Sequence, residues 1–210
     1  VEIKEMNQKY GYSIVNYKKI SAEFSKLPLK ISKEQDETTV SFIKNQTIKF
    51  PKYNSPRPSI ETGFHSLLKK YVIHSHSVYS NILACSKSFE YLTMQLFKKD
   101  NFIIIPYFAP GTILTRNILK EYHNFFQKNK KYPDIIFLKN HGIIVHAETP
   151  EKAIEVHEYV TNKLCDYFNI QTSDFPSVYL EEKTATKFES SNPFLLNYFK
   201  SNKFINQDFF

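Results

Sequence analysis

Residues 134–168 read DIIFLKNHGIIVHAETPEKAIEVHEYVTNKLCDYF, and the order of residue types in this stretch selects the fold class. Two apolar runs, IIFL and GIIV, flank Asn140-His141-Gly142. Continuous apolar runs of this length suit strands covered on both faces, and an Asn-His-Gly turn between them predicts a hairpin, with the glycine supplying positive φ. Thr149 and Pro150 then stand where a helix N-cap and first helical position belong, ahead of nineteen residues with amphipathic spacing. Strand, turn, strand and helix in this order describe a layered α/β domain rather than a bundle or a sandwich.

Working outward, the same alternation runs along the chain. Helical patterning covers roughly residues 2–9 and 17–26. After the polar stretch SKEQDETT, VSFI (40–43) and TIKF (47–50) read as strands. PKYNSPRPS (51–59) carries three prolines and is expected to be an extended loop. IETGFHSLLKKY (60–71) reads as a helix with Ile60, Phe64, Leu67 and Leu68 on one face. YVIHSH (71–76) follows as a short strand, with Ser77 placed to cap the next helix. A further helix (88–99), the strand NFIIIPY (101–107) and a Pro-Gly turn into a long helix (108–131) complete the pattern. The tail from about residue 171 is polar and aromatic and receives no element. The expectation is one domain over 1–210.

Composition narrows the function classes. The 210 residues carry a net charge of +7, but lysines occur in ones and twos, with no arginine cluster and no reading helix. Nucleic acid is therefore not expected as a partner, while a mildly basic pocket for an anionic substrate fits. No stretch approaches the roughly 20 apolar residues of a membrane span. Nor does a signal-like segment open the chain, so a cytoplasmic protein without a membrane partner is expected. Cys85 and Cys165 lie far apart in amphipathic segments and read as buried free thiols of a reducing compartment.

The chemistry concentrates in histidine. In a strand, residues two apart share a face, so His74 and His76 present both imidazoles to one side at a separation one metal ion can bridge. An isolated pair of this kind also suits surface or hydrogen-bonded histidines. His141, in the hairpin turn, is a candidate third ligand, and Glu61, thirteen residues before His74, a candidate carboxylate. Three neutral imidazoles leave a dipositive ion an open position, the pattern of catalytic zinc sites. His65 reads as a supporting or surface residue, His123 and His157 as solvated, and His146 as a structural histidine more readily than as a residue near the site.

Taken together, Pro58-Ser59-Ile60-Glu61, VIHSHSVYSNILA, PYFAPGT and FLKNHGIIVHAETPEKAIEVHE resemble, in order, the class II aldolase/adducin family over about residues 56–168. RPSIETGFH is similar to the aldolase domain of the family's bifunctional aldolase/dehydrogenase members. The resemblance implies a three-layer α/β/α sandwich around a mainly antiparallel sheet. It also implies a homotetramer with sites at subunit contacts, and one zinc per chain held by His74, His76 and His141. Glu61 falls on the acid/base, Tyr107 on a tyrosine directed at the carbonyl substrate of a neighbouring subunit, and Ser59 on a serine that holds substrate phosphate. The activity implied is a zinc-dependent aldolase-type lyase acting on a sugar or sugar phosphate through a metal-stabilised enediolate. Epimerases, dehydratases and decarboxylases of the family share that step, and its adducin branch is a non-catalytic assembly module.

One departure is visible. The family's phosphate-binding loops use glycine, whose missing Cβ lets backbone amides approach an anion. The corresponding stretches here, YSIVNYKKISAEF and SFIKNQTIKF, contain none. Lys18, Lys19, Lys44 and Ser59 are the candidates to replace those amides.

Overall fold

In the computed structural model, residues 11–49, 56–170, 180–184, 187–190, 192, 193, 196 and 197 are described. The chain groups into two compact units, residues 1–164 and 165–210.

Unit one is built on a four-stranded sheet of order β1-β4-β3-β2. The strands are β1 (Tyr71–Ser75), β2 (Phe102–Ile105), β3 (Ile135–Leu138) and β4 (Gly142–Ala147). β4 pairs antiparallel with both β1 and β3, whereas β2 runs parallel to β3. The sheet is thus mixed, with antiparallel pairs in the majority. The parallel pair follows from the connection: the long helix α6 (Thr112–Asn129) carries the chain from β2 back to the starting edge of β3.

Register decides what each face sees. Ile103, Ile136 and Ile144 lie in successive rungs, as do Ile105 and Leu138. With Phe64, Leu114 and Ile118 they form one buried cluster under α6 and α3 (Thr62–His65). Each such side chain contributes about 1.5–3 kcal/mol by leaving water. On the opposite face Phe137 meets Phe97, at 4.7 Å between ring centroids, just beyond α5 (Phe89–Leu96). α7 (Pro150–Phe168) buries Ala153, Val160 and Leu164, and its His157 meets Ser75 of β1 on this second face. Helices on both sides of a central sheet give three layers, as expected.

The hairpin and its helix form as the sequence predicts. Gly142 has positive φ, 159°, and Asn140 adopts the left-handed conformation at φ 53°, while Gly142 answers a second demand as well. A Cβ at Gly142 would stand 2.4 Å from the Ser75 carbonyl oxygen, so its absence is what lets β1 close on β4. α7 starts as read: the Thr149 hydroxyl accepts from the Lys152 amide at 3.3 Å. α4 (Val78–Ala84) is capped by Ser77, and α1 (Tyr17–Lys26) matches its expected span.

Four readings are corrected. VSFI is not a strand but part of α2 (Lys33–Asn45), which opens on a capping box of Ser32 and Gln35 and buries Thr39 and Ile43, one helical turn apart. β-branched composition misleads there because tertiary burial follows the helical period. In TIKF, Thr47 makes only an isolated bridge to Val15, and Phe50 lies outside the described residues, as does the expected helix at 2–9. The helix expected over 60–71 is a single turn, α3. Beyond it Leu67 packs against the Ile20–Phe24 cluster and Leu68 against the Phe64 cluster. Cys85 is exposed rather than buried, and Cys165 half-buried; neither is bridged.

In unit two, β5 (Leu180–Thr184) and β6 (Lys187–Ser190) pair antiparallel. No helix among the described residues is long and apolar enough to cross a membrane.

Candidate metal centre

Four side chains expected from the sequence converge at one end of the sheet. Glu61, His74, His76 and His141 each offer a ligand atom, and all four atoms lie within 4.8 Å of one another. Each arrives by a separate local device. His74 lies in β1, with His76 just past its end. The turn between β3 and β4 holds His141, whose amide donates to the Leu138 carbonyl at 3.3 Å. Glu61 is set at the start of α3 by Ser59, whose hydroxyl accepts from the Glu61 amide at 3.2 Å while its carbonyl accepts from the Thr62 hydroxyl at 2.7 Å.

Hydrogen bonding fixes the tautomer of His74. Its Nδ1 lies 2.9 Å from the Ile143 carbonyl oxygen, which can only accept, so Nδ1 carries the proton and Nε2 presents a lone pair. His76 Nε2 stands 3.0 Å from that lone pair. Glu61 Oε1 lies 3.4 Å from His74 Nε2 and 3.1 Å from His141 Nε2. Nitrogen lone pairs and a carboxylate oxygen this close repel unless protons or a cation stand among them. Three imidazoles and one carboxylate are a donor set suited to a divalent ion of the zinc type. Where protons rather than a cation stand there, hydrogen bonds from His141 and then His74 hold the Glu61 carboxyl well below the usual carboxylate range. Burial, reinforced by the other two imidazoles, lowers His76 from its ordinary value.

The pocket is walled on one side. His74 and His141 side chains are 7% exposed and Glu61 20%, and Phe64 sets its ring edge-on to His74 at 5.3 Å. A cavity of about 530 Å³ is lined by Ser13, Arg57, Ser59, Thr62 and His65 among others, though by none of the four clustered groups. Ser59 and Thr62 lie on either side of Glu61 in sequence. Sequence reading passed over Arg57, a lone arginine in a proline loop, because its use depends on where the loop folds back. Lys18 and Lys19 do not line this cavity, and Lys44 lines a neighbouring one with Arg57.

Other expected residues sit elsewhere. Tyr107 follows β2 on an exposed loop, 56% accessible, and is not among the four clustered groups. His146 lies toward the far end of β4 from His141, fully buried against Tyr122 at 5.5 Å. Its ring nitrogens find no partner among the described residues. The groove of about 500 Å³ there is lined by charges that neutralise each other, as in Lys69–Asp134 at 2.8 Å and Lys152–Glu155 at 2.6 Å. His157 is half-buried rather than solvated, with Nε2 2.7 Å from the Ser75 hydroxyl.

Comparison with known proteins agrees with this architecture. The chain is 25% identical over 115 residues to an uncharacterized oxidoreductase of Bacillus subtilis, YuxG, covering 54% of this chain but only 16% of that protein. In structure it resembles the N-terminal class II aldolase domain of a conserved protein from Thermoplasma acidophilum, with TM-score 0.62 and 21% identity over 80% of this chain and 71% of that one. A weaker likeness, TM-score 0.42 and 16% identity over 73% and 68% of the two chains, links it to YgbL of Klebsiella pneumoniae, described as a putative aldolase/epimerase/decarboxylase. Residues 24–168 match the family described as the class II aldolase and adducin N-terminal domain, well over half of the sequence, and the chain belongs to that family.

Proposed function

We propose that this chain is a zinc-dependent carbon–carbon lyase of the aldolase type, acting on a sugar or sugar phosphate. The observation that carries the reading is the shared position of Glu61 Oε1, within 3.4 Å of two imidazole nitrogens of a three-histidine cluster. A scaffold has no use for a carboxylate and three imidazoles kept this close.

His74, His76 and His141 would hold the ion, which when bound supplies Lewis acidity worth several kcal/mol on a developing oxyanion. Glu61 moves the proton. A carboxylate is already ionised at neutral pH, and with the imidazole nitrogens turned to the ion, burial is left to raise its basicity toward that of a working base. Ser59 and Arg57 line the same cavity and supply a hydroxyl and a guanidinium for an anionic substituent, in place of the family's glycine amides. Tyr107, exposed on its loop, serves the site of a neighbouring subunit in a homotetramer, where it protonates the departing or arriving oxygen.

The test is aldehyde release from a panel of ketoses and ketose phosphates, run on the full chain and on Glu61→Gln. Cleavage that falls 10²–10⁴-fold in the variant, the loss typical of a removed general base, supports the lyase reading. Turnover without aldehyde release assigns the site to an epimerase, dehydratase or decarboxylase instead.

A further inference from the structure

We infer that His157 is a positioning residue for the metal centre, acting through Ser75 to hold His74 and His76 at their working separation. The inference rests on the metal-centre reading above, and its support comes from the opposite face of the sheet.

Ser75 stands between the two histidines. Strand alternation therefore sends its side chain away from the cluster, toward α7. There its hydroxyl meets His157 Nε2 at 2.7 Å. His157 follows Ala153 by four residues and precedes Val160 by three, so it occupies the stripe of α7 that buries Ala153, Val160 and Leu164. An apolar residue is the ordinary occupant of such a position. A half-buried imidazole there costs desolvation, and its hydrogen bond to Ser75 offsets that cost.

The place where this bond acts is mechanically weak. β1 is an edge strand, held only by β4, and the Ser75↔Ile143 rung is its last. Past Ser75 no ladder restrains the backbone, yet His76 begins there, exposed. Among the described residues, two contacts are seen on Ser75 beyond the ladder. One is the close packing of its carbonyl on Gly142, and the other is the hydroxyl–imidazole bond to α7. The second determines how the backbone between the ligands is turned. Without it, His76 has to be immobilised anew each time an ion binds, and affinity falls accordingly.

The experiment measures zinc affinity of the stripped full chain by competition with a chromophoric chelator, and the cobalt(II) absorption spectrum as a reporter of ligand geometry. Variants are Ser75→Ala, His157→Leu, the double variant, and His157→Gln, whose amide can still bond the serine. Ser75→Ala and His157→Leu are each expected to weaken zinc about tenfold, as removal of supporting partners typically does. They should alter the cobalt spectrum alike, and the double variant should lose no more than either alone. His157→Gln should recover most of the affinity. Unchanged zinc affinity and cobalt spectrum in His157→Leu, or losses that add in the double variant, overturn the inference even where thermal stability drops, since that outcome describes packing alone. A wild-type chain that takes up no cation overturns the metal centre, and this inference with it.

Discussion

At the scale of single residues, burial and partner geometry separate the seven histidines. His74 and His141 are nearly buried yet turn their Nε2 atoms toward Glu61 Oε1, 3.4 and 3.1 Å away. His146 is equally buried and turns to the ring of Tyr122. Burial, with help from Lys69, pushes the His146 imidazole down from 6.5 to about 4. The sign follows directly: the fold holds His146 neutral, while the unfolded chain takes up a proton below about 6.5, so stability is full above that pH and falls as pH drops toward 4. At 1.36 kcal/mol per pKa unit, His146 should remove about 2–3 kcal/mol between pH 7 and 4.5. Urea unfolding at the two pH values should show that loss shrinking by the same amount in His146→Phe. An identical loss in the variant would mean that another group governs acid sensitivity.

At the scale of elements, β1 and the β3–β4 turn are the pair on which the site depends, and Gly142 is where they touch. Gly142→Ala would drive its methyl into the Ser75 carbonyl, which a Cβ there approaches to 2.4 Å. Overpacking of this kind costs about 1–3 kcal/mol. Here the displaced strand also carries His74, so stability and metal uptake are expected to fall together, checked by urea unfolding and by metal analysis of one preparation. The hairpin, α7 and the HSH strand were legible in sequence because long apolar runs, a Thr-Pro helix start and a two-residue spacing are local signals. VSFI was not. Its β-branched residues say strand, while the Ser32–Gln35 capping box and the burial of Thr39 and Ile43 say helix. The end of α3 was also hidden, because Leu67 and Leu68 continue the apolar pattern of Phe64 although the helix stops at His65. Glu61 and the three histidines could be named from motif order, but the Ser75–His157 bond spans 82 residues and leaves no local trace.

At the scale of the whole molecule, the chain spans only 16% of the length of its Bacillus subtilis relative, and its family membership rests on residues 24–168. The subunit-contact reading concerns Tyr107, whose exposure suits a residue that reaches into a neighbour. If one subunit supplies Glu61 and another Tyr107, then Tyr107→Phe and Glu61→Gln, each nearly inactive, should complement when dissociated and reassembled together. Random assembly would return about a quarter of the sites to full composition. No recovery in mixed oligomers would place both residues in the same subunit's site, or Tyr107 outside the chemistry. Beneath all of this lies the convergence of three imidazoles and a carboxylate around a point where one ion could bind. The direct measurement is zinc content after reconstitution and desalting, by mass spectrometry, for the full chain beside His74→Ala and His141→Ala. The account predicts about one zinc per chain in the first and less than about a tenth in the variants. A wild-type chain that retains no zinc, or variants that retain as much as it does, would contradict it.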